Sequence, residues 1–378
     1  MKVSFFLFSM LLILLAVPAQ AQFGVSFQTY GGYASNVFAN YRQLPDYYNA
    51  LTASVYHDWI DSSSGLRLSY QGDLTLFDEY NYRNFHTHEL GIKVYTYTSS
   101  TGNRLNAGVD IAKRLYNGDY RWYEYNQAYV YSNIKVILSH QLYGYAGGDF
   151  RVRKYSLLVP FSYWQNTWFL RLSRFFNSGT SVILEGNYFL KTYLNNNTVS
   201  PLPEFPELYT SGTGNNRQIA ASLRLAQSID SRTGINAEIV VRRTLNNSVR
   251  YLGTGDGLYY SDDDIFDDPY SYDSEQLNIS LKRKFGWNIR MSTGLVFMDK
   301  HYTGRLALDL DGYAFADSRM RHDKQSLIWI SFDKSFRYLR ALQPITLAVD
   351  LAWMQNFSND PYYDYKKSYF SVGLAQSF

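Results

Sequence analysis

Apolar and polar residues alternate strictly over several long segments of this chain. Between Leu66 and Leu76 the even positions are apolar apart from Gly72, and the odd positions carry Arg, Ser, Gln, Asp and Thr. Segments 234–245 and 276–284 alternate in much the same way. Because successive side chains of a strand point to opposite faces, each segment predicts a strand with one apolar and one polar face.

The length of these segments distinguishes between two kinds of β protein. A soluble β-sandwich also alternates, but its strands average about 5 or 6 residues. The segments here run over about 10 to 14 residues, which is the length that tilted strands need to cross a bilayer. The sequence therefore predicts an all-β fold, a closed antiparallel transmembrane β-barrel.

We predict about 16 strands, an even number that places both chain termini in the periplasm, as is usual in bacterial single-chain barrels. The alternation is least regular over 124–160, so a count of 14 is the alternative. The predicted strands are 23–33, 47–60, 66–78, 85–97, 104–116, 124–136, 141–153, 161–175, 181–193, 217–229, 234–246, 274–285, 287–300, 323–335, 345–357 and 365–378.

The connections between these strands alternate in length. Small polar turn formers make up the short ones, which are 61–65, 99–103, 177–180 and 230–233. The long ones are 34–46, 194–216, 247–273 and 302–320. Short turns on the periplasmic side and long loops outside are typical of outer-membrane barrels, so the pattern predicts this orientation.

The first residues predict export. Lys2 is followed by an apolar run from Phe5 to Val17, and the small residues Ala19 and Ala21 flank Gln20 at a cleavage site of the signal-peptidase type. The apolar run is shorter than the roughly 20 residues of a transmembrane helix. We therefore expect a cleaved signal peptide over 1–21 and a barrel over 22–378, with an uncleaved anchor helix as the alternative.

The composition agrees with a barrel. The chain has 0 Cys, so an exported fold must hold together without disulfides. Aromatic residues make up 18 % of the chain and include 36 Tyr, as expected for aromatic girdles at both membrane interfaces. The mean hydropathy is nevertheless slightly negative, because only alternate residues would face lipid. The formal net charge of +3 gives no reason to expect a nucleic-acid partner.

The last residues carry a resemblance. Phe370, Val372, Leu374 and the terminal Phe378 share one strand face, and only Gln376 departs from the pattern. This resembles the C-terminal signal of outer-membrane β-barrels of the porin-like superfamily. The resemblance implies a location in the outer membrane, contact with its lipid, and recognition by the barrel assembly machinery.

A second resemblance lies near the start of the barrel. Segment 32–37 reads Gly-Tyr-Ala-Ser-Asn-Val. It is similar to the first strand of barrels that follow helical-repeat domains in polysaccharide and surface-lipoprotein export systems.

Charged residues on the polar phase of the strands are expected to line the lumen, because charges are expensive in hydrocarbon. Most basic and acidic positions are expected to pair across neighbouring strands. A basic strip on the tenth to thirteenth predicted strands is the exception, since Glu238 alone opposes it there. An open pore lined in this way would favour anions. The strip consists of Arg224, Arg242, Lys282, Lys284 and Arg290.

The long connection 247–273 is acidic. Clustered carboxylates can hold Ca²⁺, but this loop lacks the spacing of an EF-hand. We expect either a solvated surface loop or a loop that folds into the lumen and narrows it. The carboxylates in question are those of Asp262, Asp263, Asp264, Asp267 and Asp268.

No pattern in the sequence predicts catalysis. His86 and His88 have the spacing of a metal pair on one strand, but the polar phase of that strand points both outward, away from convergent partners. There is no Gly-x-Ser-x-Gly elbow. We expect no enzyme and no cofactor, although a site assembled from separate strands would escape a search by spacing.

The function predicted from these features is passive, porin-like diffusion of small hydrophilic solutes or ions, since barrels of about 16 strands enclose an aqueous channel. The alternative is a non-enzymatic outer-membrane scaffold or export and assembly partner whose loops plug the lumen. Assembly into a homo-oligomer is left open.

Overall fold

The computed structural model describes residues 23–98, 102–195, 208–211, 214–246, 249–252, 265, 267–337 and 343–378. The predicted signal peptide, 1–21, lies outside these residues. Within them the chain forms eighteen strands and four short 3₁₀ turns. The strands are β1 (Phe23–Ala34), β2 (Asp46–Ile60), β3 (Ser64–Phe77), β4 (Phe85–Tyr97), β5 (Arg104–Tyr116), β6 (Tyr125–Ser139), β7 (Leu142–Tyr155), β8 (Tyr163–Phe175), β9 (Thr180–Tyr193), β10 (Leu208–Ser211), β11 (Asn215–Ser228), β12 (Thr233–Thr244), β13 (Val249–Leu252), β14 (Tyr272–Lys284), β15 (Ile289–Leu306), β16 (Met320–Phe336), β17 (Ile345–Ser358) and β18 (Tyr365–Ser377). The 3₁₀ turns are Asn81–Arg83, Gly118–Tyr123, Val159–Phe161 and Pro361–Tyr363.

Sixteen of the strands close into one antiparallel barrel. Each pairs with the next barrel strand along the chain, and β1 pairs with β18 from Ser26 opposite Ser377 to Ala34 opposite Tyr369. The remaining two, β10 and β13, form a separate two-stranded ribbon between the connections that leave β9 and β12. The prediction of 16 strands is confirmed, and the alternative count of 14 is wrong. Closure leaves no free sheet edge in the wall.

The two faces of the wall alternate as predicted. Ile235 and Ile239 lie on the outer face and are half-exposed, and so do Phe370, Val372 and Leu374 near the C-terminus. Glu238, one residue from Ile239, points to the lumen and meets Arg224 of the neighbouring strand. Apolar side chains on the outside of a closed barrel are those that lipid solvates.

The seam between β1 and β18 is closed by residues of the segment 32–37. The backbone N–H of Ser35 donates to the carbonyl of Ser368 over 2.9 Å, and the N–H of Ser368 donates back to the Ser35 hydroxyl over 2.8 Å. Asn36 is fully buried, and its side-chain amide donates to the carbonyl oxygens of Asn40 and Lys366. This segment therefore continues the first-to-last strand pairing beyond the end of the ladder.

The two ends of the barrel differ in their connections. At the short-turn end, which also carries both barrel termini, the connections are 61–63, 98–103, 140–141, 176–179, 229–232, 285–288 and 337–344. At the long-loop end they are 35–45, 78–84, 117–124, 156–162, 194–214, 245–271, 307–319 and 359–364. Among the described residues, no helix is long and apolar enough to cross a membrane.

Candidate functional site

The long-loop end of the barrel is covered by its own connections. We name this layer the cap and define it by residues 35–45, 78–84, 117–124, 156–162, 208–211, 249–252, 265, 267–271, 307–319 and 359–364. Several loops contribute to its larger buried cluster, including Phe38, Tyr120, Leu158, Phe161 and Ile265. The cluster packs on buried tyrosines at the strand ends, which are Tyr125, Tyr155, Tyr163 and Tyr193.

The connections of the cap are bonded to one another. Arg83 donates from Nη1 to the carbonyl of Val37 over 3.1 Å, and its guanidinium lies 4.5 Å from the ring centres of Phe38 and Phe77. Burial lowers the pKa of Arg83, and nearby tyrosines partly oppose this. Arg83 thus joins 35–45 to 78–84 through a carbonyl and through aromatic faces that accept a cation.

Asp360 joins the last two connections of the cap. Its carboxylate accepts from the backbone N–H of Tyr362 over 3.1 Å and from that of Leu308 over 3.2 Å. The side chain is fully buried, and burial raises the pKa of its carboxyl despite the neighbouring Arg321 and Arg305. One carboxylate therefore positions two loops, and it does so out of contact with water.

Two ion pairs bind the cap to the barrel wall. Lys191 on β9 places its Nζ 2.7 Å from Oδ2 of Asp268, and the two side chains are 0 % and 3 % exposed. Lys300 on β15 places its Nζ 2.6 Å from Oδ2 of Asp267, and Oδ1 of the same carboxylate accepts from the Tyr302 hydroxyl. We name these two pairs the latch. Because a buried charge is costly without a partner, each lysine holds its aspartate in place.

The latch corrects the prediction for the acidic loop. Asp262, Asp263 and Asp264 lie outside the described residues. Asp267 and Asp268 were expected to be solvated, and instead they neutralise lysines that face the lumen. The alternative expectation, that the long loop folds into the lumen, agrees with this arrangement. Nothing in the spacing of the sequence marks which lysines the two aspartates meet.

A third buried ion pair lies beside the latch. Arg321 and Asp323, both on β16, are 2.5 Å apart and almost completely buried. The Arg321 guanidinium stacks 3.4 Å from the ring centre of Tyr363, which also accepts from Arg305. Arg321 and Tyr363 line a cavity of about 460 Å³ beneath the cap, together with Arg83, Arg114 and several tyrosines.

The structure divides the predicted basic strip. Arg224 pairs with Glu238 over 2.8 Å, and Arg290 pairs with Asp333 over 2.9 Å. The expectation that Glu238 alone opposes the strip is therefore wrong for Arg290, because the neighbouring β16 supplies Asp333. Arg242 bonds to neutral partners, the side chains of Gln276 and Ser274.

The two lysines of the strip behave differently. Lys282 and Lys284 form no ion pair with any residue that the structure describes. With Arg290 and Arg232 they line a cavity of about 530 Å³ at the short-turn end. The positive charge that is not neutralised within the strip therefore lies at this end of the lumen.

The histidines predicted to point outward do so. His86 and His88 lie 2.9 Å apart through their ring nitrogens on the outer face of β4, and the Tyr70 hydroxyl reaches His88 over 2.7 Å. No metal-type cluster among the described residues includes either of them.

Comparison with solved structures identifies the architecture. The chain is similar to Pseudomonas aeruginosa OpdO, with a TM-score of 0.52 and 8 % identity over 94 % of this chain and 96 % of that one. It is also similar to P. aeruginosa OpdK, solved with vanillate, with a TM-score of 0.51 and 9 % identity over 94 % and 99 % of the two chains. The chain therefore has the porin-like fold of outer-membrane β-barrels. At such low identity the similarity is one of fold.

A family model matches the C-terminal part of the sequence. The model of the surface lipoprotein assembly modifier family matches residues 231–378, which run from the turn before β12 to the end of the chain. No curated protein matches the sequence. The matched part contains Asp267, Asp268 and Lys300 of the latch, whereas Lys191 lies outside it.

Proposed function

We propose that this chain is an outer-membrane barrel that serves the export or assembly of a surface-exposed protein and keeps its outer mouth closed with the cap. The observation that carries the proposal is the latch. The latch holds loop residues over the lumen through two ion pairs, in which the side chains of Lys191, Asp268 and Lys300 are buried. Free diffusion needs a continuous aqueous path, and a buried, ion-paired cap opposes one.

The class of cargo is inferred from the sequence similarity. The part of the chain that matches the surface lipoprotein assembly modifier model includes both aspartates of the latch, Asp267 and Asp268, and one of its two lysines, Lys300. A surface lipoprotein is therefore the cargo that we propose. This is the plugged export and assembly partner that the sequence left as its alternative.

The proposed orientation places the cap outside the cell and both termini in the periplasm. A signal peptide over 1–21 would direct export, and the outward face of Phe370, Val372 and Leu374 with Phe378 would be read by the barrel assembly machinery. The lipid of the outer membrane would then contact the apolar outer wall. In this role the barrel needs no cofactor and carries out no catalysis.

A second candidate is the solute channel. The cavity at the short-turn end, with Lys282, Lys284 and Arg290 in its lining, is the observation that favours it. If the cap opens, this end would attract small anions from the periplasmic side by its local positive potential.

Two measurements test the proposal. Deletion of the gene, followed by biotinylation of intact cells and mass spectrometry, should show loss of one or more lipoproteins from the surface while their total amount is kept. Plasmid-borne wild-type protein should restore them. In planar bilayers the purified wild type should stay silent. An unchanged set of surface lipoproteins together with stable wild-type openings would replace the proposal with the solute channel.

A further inference from the structure

The outer face of the barrel carries a cluster of two imidazoles and one carboxylate near the long-loop end. Asp299 and His301 lie on β15, on the same phase as the outward-facing Phe297. His322 lies on β16 directly opposite His301 in the register. His322 is 21 positions from His301 and 23 from Asp299 along the chain, so only the pairing of β15 with β16 brings it to the other two.

The ligand atoms of this cluster converge. Nε2 of His322 lies 2.5 Å from Oδ1 of Asp299, and Nε2 of His301 lies 3.2 Å from the same oxygen. The two imidazole rings stack with their centres 4.0 Å apart and their planes 17° apart. One nitrogen from each histidine and one carboxylate oxygen all lie within 4.8 Å of one another.

We propose that Asp299, His301 and His322 form a binding site for a divalent transition metal of the Zn²⁺ type. Imidazole nitrogen and carboxylate oxygen bind Zn²⁺ at about 2.0–2.2 Å. Atoms this close can surround one ion after small side-chain rotations. Two nitrogens and a single carboxylate suit Zn²⁺, Ni²⁺ or Cu²⁺, whereas Ca²⁺ would need about 6 to 8 oxygens. The three ligands leave a fourth position open toward the outside of the wall.

The neighbouring charges set the expected affinity. Lys324 faces Asp299 in the register on one side, and it is exposed. Glu275 faces Asp299 on the other side, but it forms an ion pair with Arg243. The positive charge of Lys324 so near the cluster repels a cation, so its removal should tighten binding.

The position of the site suggests what an ion would do. His301 opposite His322 is the last regular pair of these strands, and the register shifts between His301 and Leu306. Beyond the shift the chain enters the connection 307–319 of the cap. A bound ion would cross-link β15 to β16 where that connection begins. This role is independent of the function proposed above.

The test uses tag-free, folded barrel in detergent, titrated with Zn²⁺ by calorimetry and with Co²⁺ by visible absorption. One ion per chain should bind. His301→Ala and Asp299→Asn should each weaken binding at least about 10-fold, in line with the loss of a metal ligand. Lys324→Gln should strengthen it. All three side chains are on the outer face, and retained folding is checked by circular dichroism.

The second histidine pair provides the matched control. His88→Ala removes one of the two imidazoles of this pair. Among the described residues, His86 and His88 belong to no metal-type cluster with a carboxylate. The His88→Ala variant should therefore leave the Zn²⁺ affinity unchanged. Loss of binding in His88→Ala, or equal binding by wild type, His301→Ala and Asp299→Asn, would overturn the proposal, as would the absence of Zn²⁺ binding by the wild type.

Discussion

Two regions of the barrel use the same kind of interaction in opposite surroundings. At the long-loop end, Lys191 and Asp268 are 0 % and 3 % exposed. Away from the cap, the side chains of Arg224 and Arg290 are 46 % and 55 % exposed although each is paired with a carboxylate. A pair in water contributes little because solvent screens it, whereas a buried charge depends on its partner. Thus a buried ion pair holds a loop of the cap in place, whereas the exposed ion pairs line a solvent-accessible part of the wall.

The tyrosines show the same difference. The sequence has 36 Tyr, which predicted girdles at the membrane interfaces. Several of them instead face the lumen at the long-loop end, where Tyr163 and Tyr193 are buried among the loops of the cap. The aromatic content of the chain therefore serves the interior of the cap as well as the wall.

The largest effect should come from breaking the latch. Lys191→Met leaves Asp268 buried without its cation, and loss of one partner of a buried pair costs about 3–5 kcal/mol. We expect this cost to release the cap while the barrel wall stays folded. Near-UV circular dichroism should lose the signal of the packed tyrosines, far-UV circular dichroism should keep the strand signal, and planar bilayers should show openings.

A double variant tests whether the effect of Lys191→Met comes from the uncompensated charge of Asp268 or from the loss of the contact between the two side chains. Lys191→Met combined with Asp268→Leu removes both charges, so no buried charge remains alone and most of the cap should stay closed. If Lys191→Met left the cap signal and the conductance at wild-type values, the latch would not be what closes the mouth.

A smaller effect should follow from Asp360 and pH. Because the pKa of this carboxyl is raised in the folded cap, the folded state keeps the proton to a higher pH than the unfolded chain does. The contribution of this carboxyl to the free energy of unfolding is therefore greatest in acid. It falls as the pH rises from about 4 through the raised pKa. The urea midpoint of the near-UV signal should decrease over this window, and Asp360→Asn should flatten the decrease. A wild-type midpoint that instead rises with pH over this range would contradict the sign.

The smallest change in stability is expected at the exposed ion pairs away from the cap. Arg224→Gln should cost less than about 1 kcal/mol, since its ion pair with Glu238 is half-exposed. In the Lys191→Met background, Lys282→Gln with Lys284→Gln should move the reversal potential in a KCl gradient toward cation preference. Arg224→Gln combined with Glu238→Gln should move it far less, because this ion pair is removed without a change of net charge. Equal shifts of the reversal potential for the lysine variant and the variant of Arg224 with Glu238 would show that ion pairing does not determine which charges act on a permeating ion.

The wall of the barrel could be predicted from the sequence and the cap could not. Alternation is a local signal, so Ile235, Ile239 and Glu238 identify strand and facing within a few residues. The latch is not local, because Lys191 and Asp268 are 77 positions apart and meet only when a loop folds back onto a distant strand. The pairing of His301 with His322 likewise depends on register, which spacing along one strand does not provide.

The claim that the barrel is closed at the long-loop end and open at the short-turn end is tested most directly with two single thiols on the lumen side. One is placed below the cap and the other at the short-turn end. Ser274 is fully buried below the cap, and Ser292 lines the cavity at the short-turn end. The chain has 0 Cys, so Ser274→Cys and Ser292→Cys each carry a single thiol. With a water-soluble maleimide, Ser292→Cys should react at least about 10-fold faster than Ser274→Cys, because a buried site reacts only through local opening. Lys191→Met should remove most of that difference. Equal rates in the otherwise wild-type barrel would contradict the account.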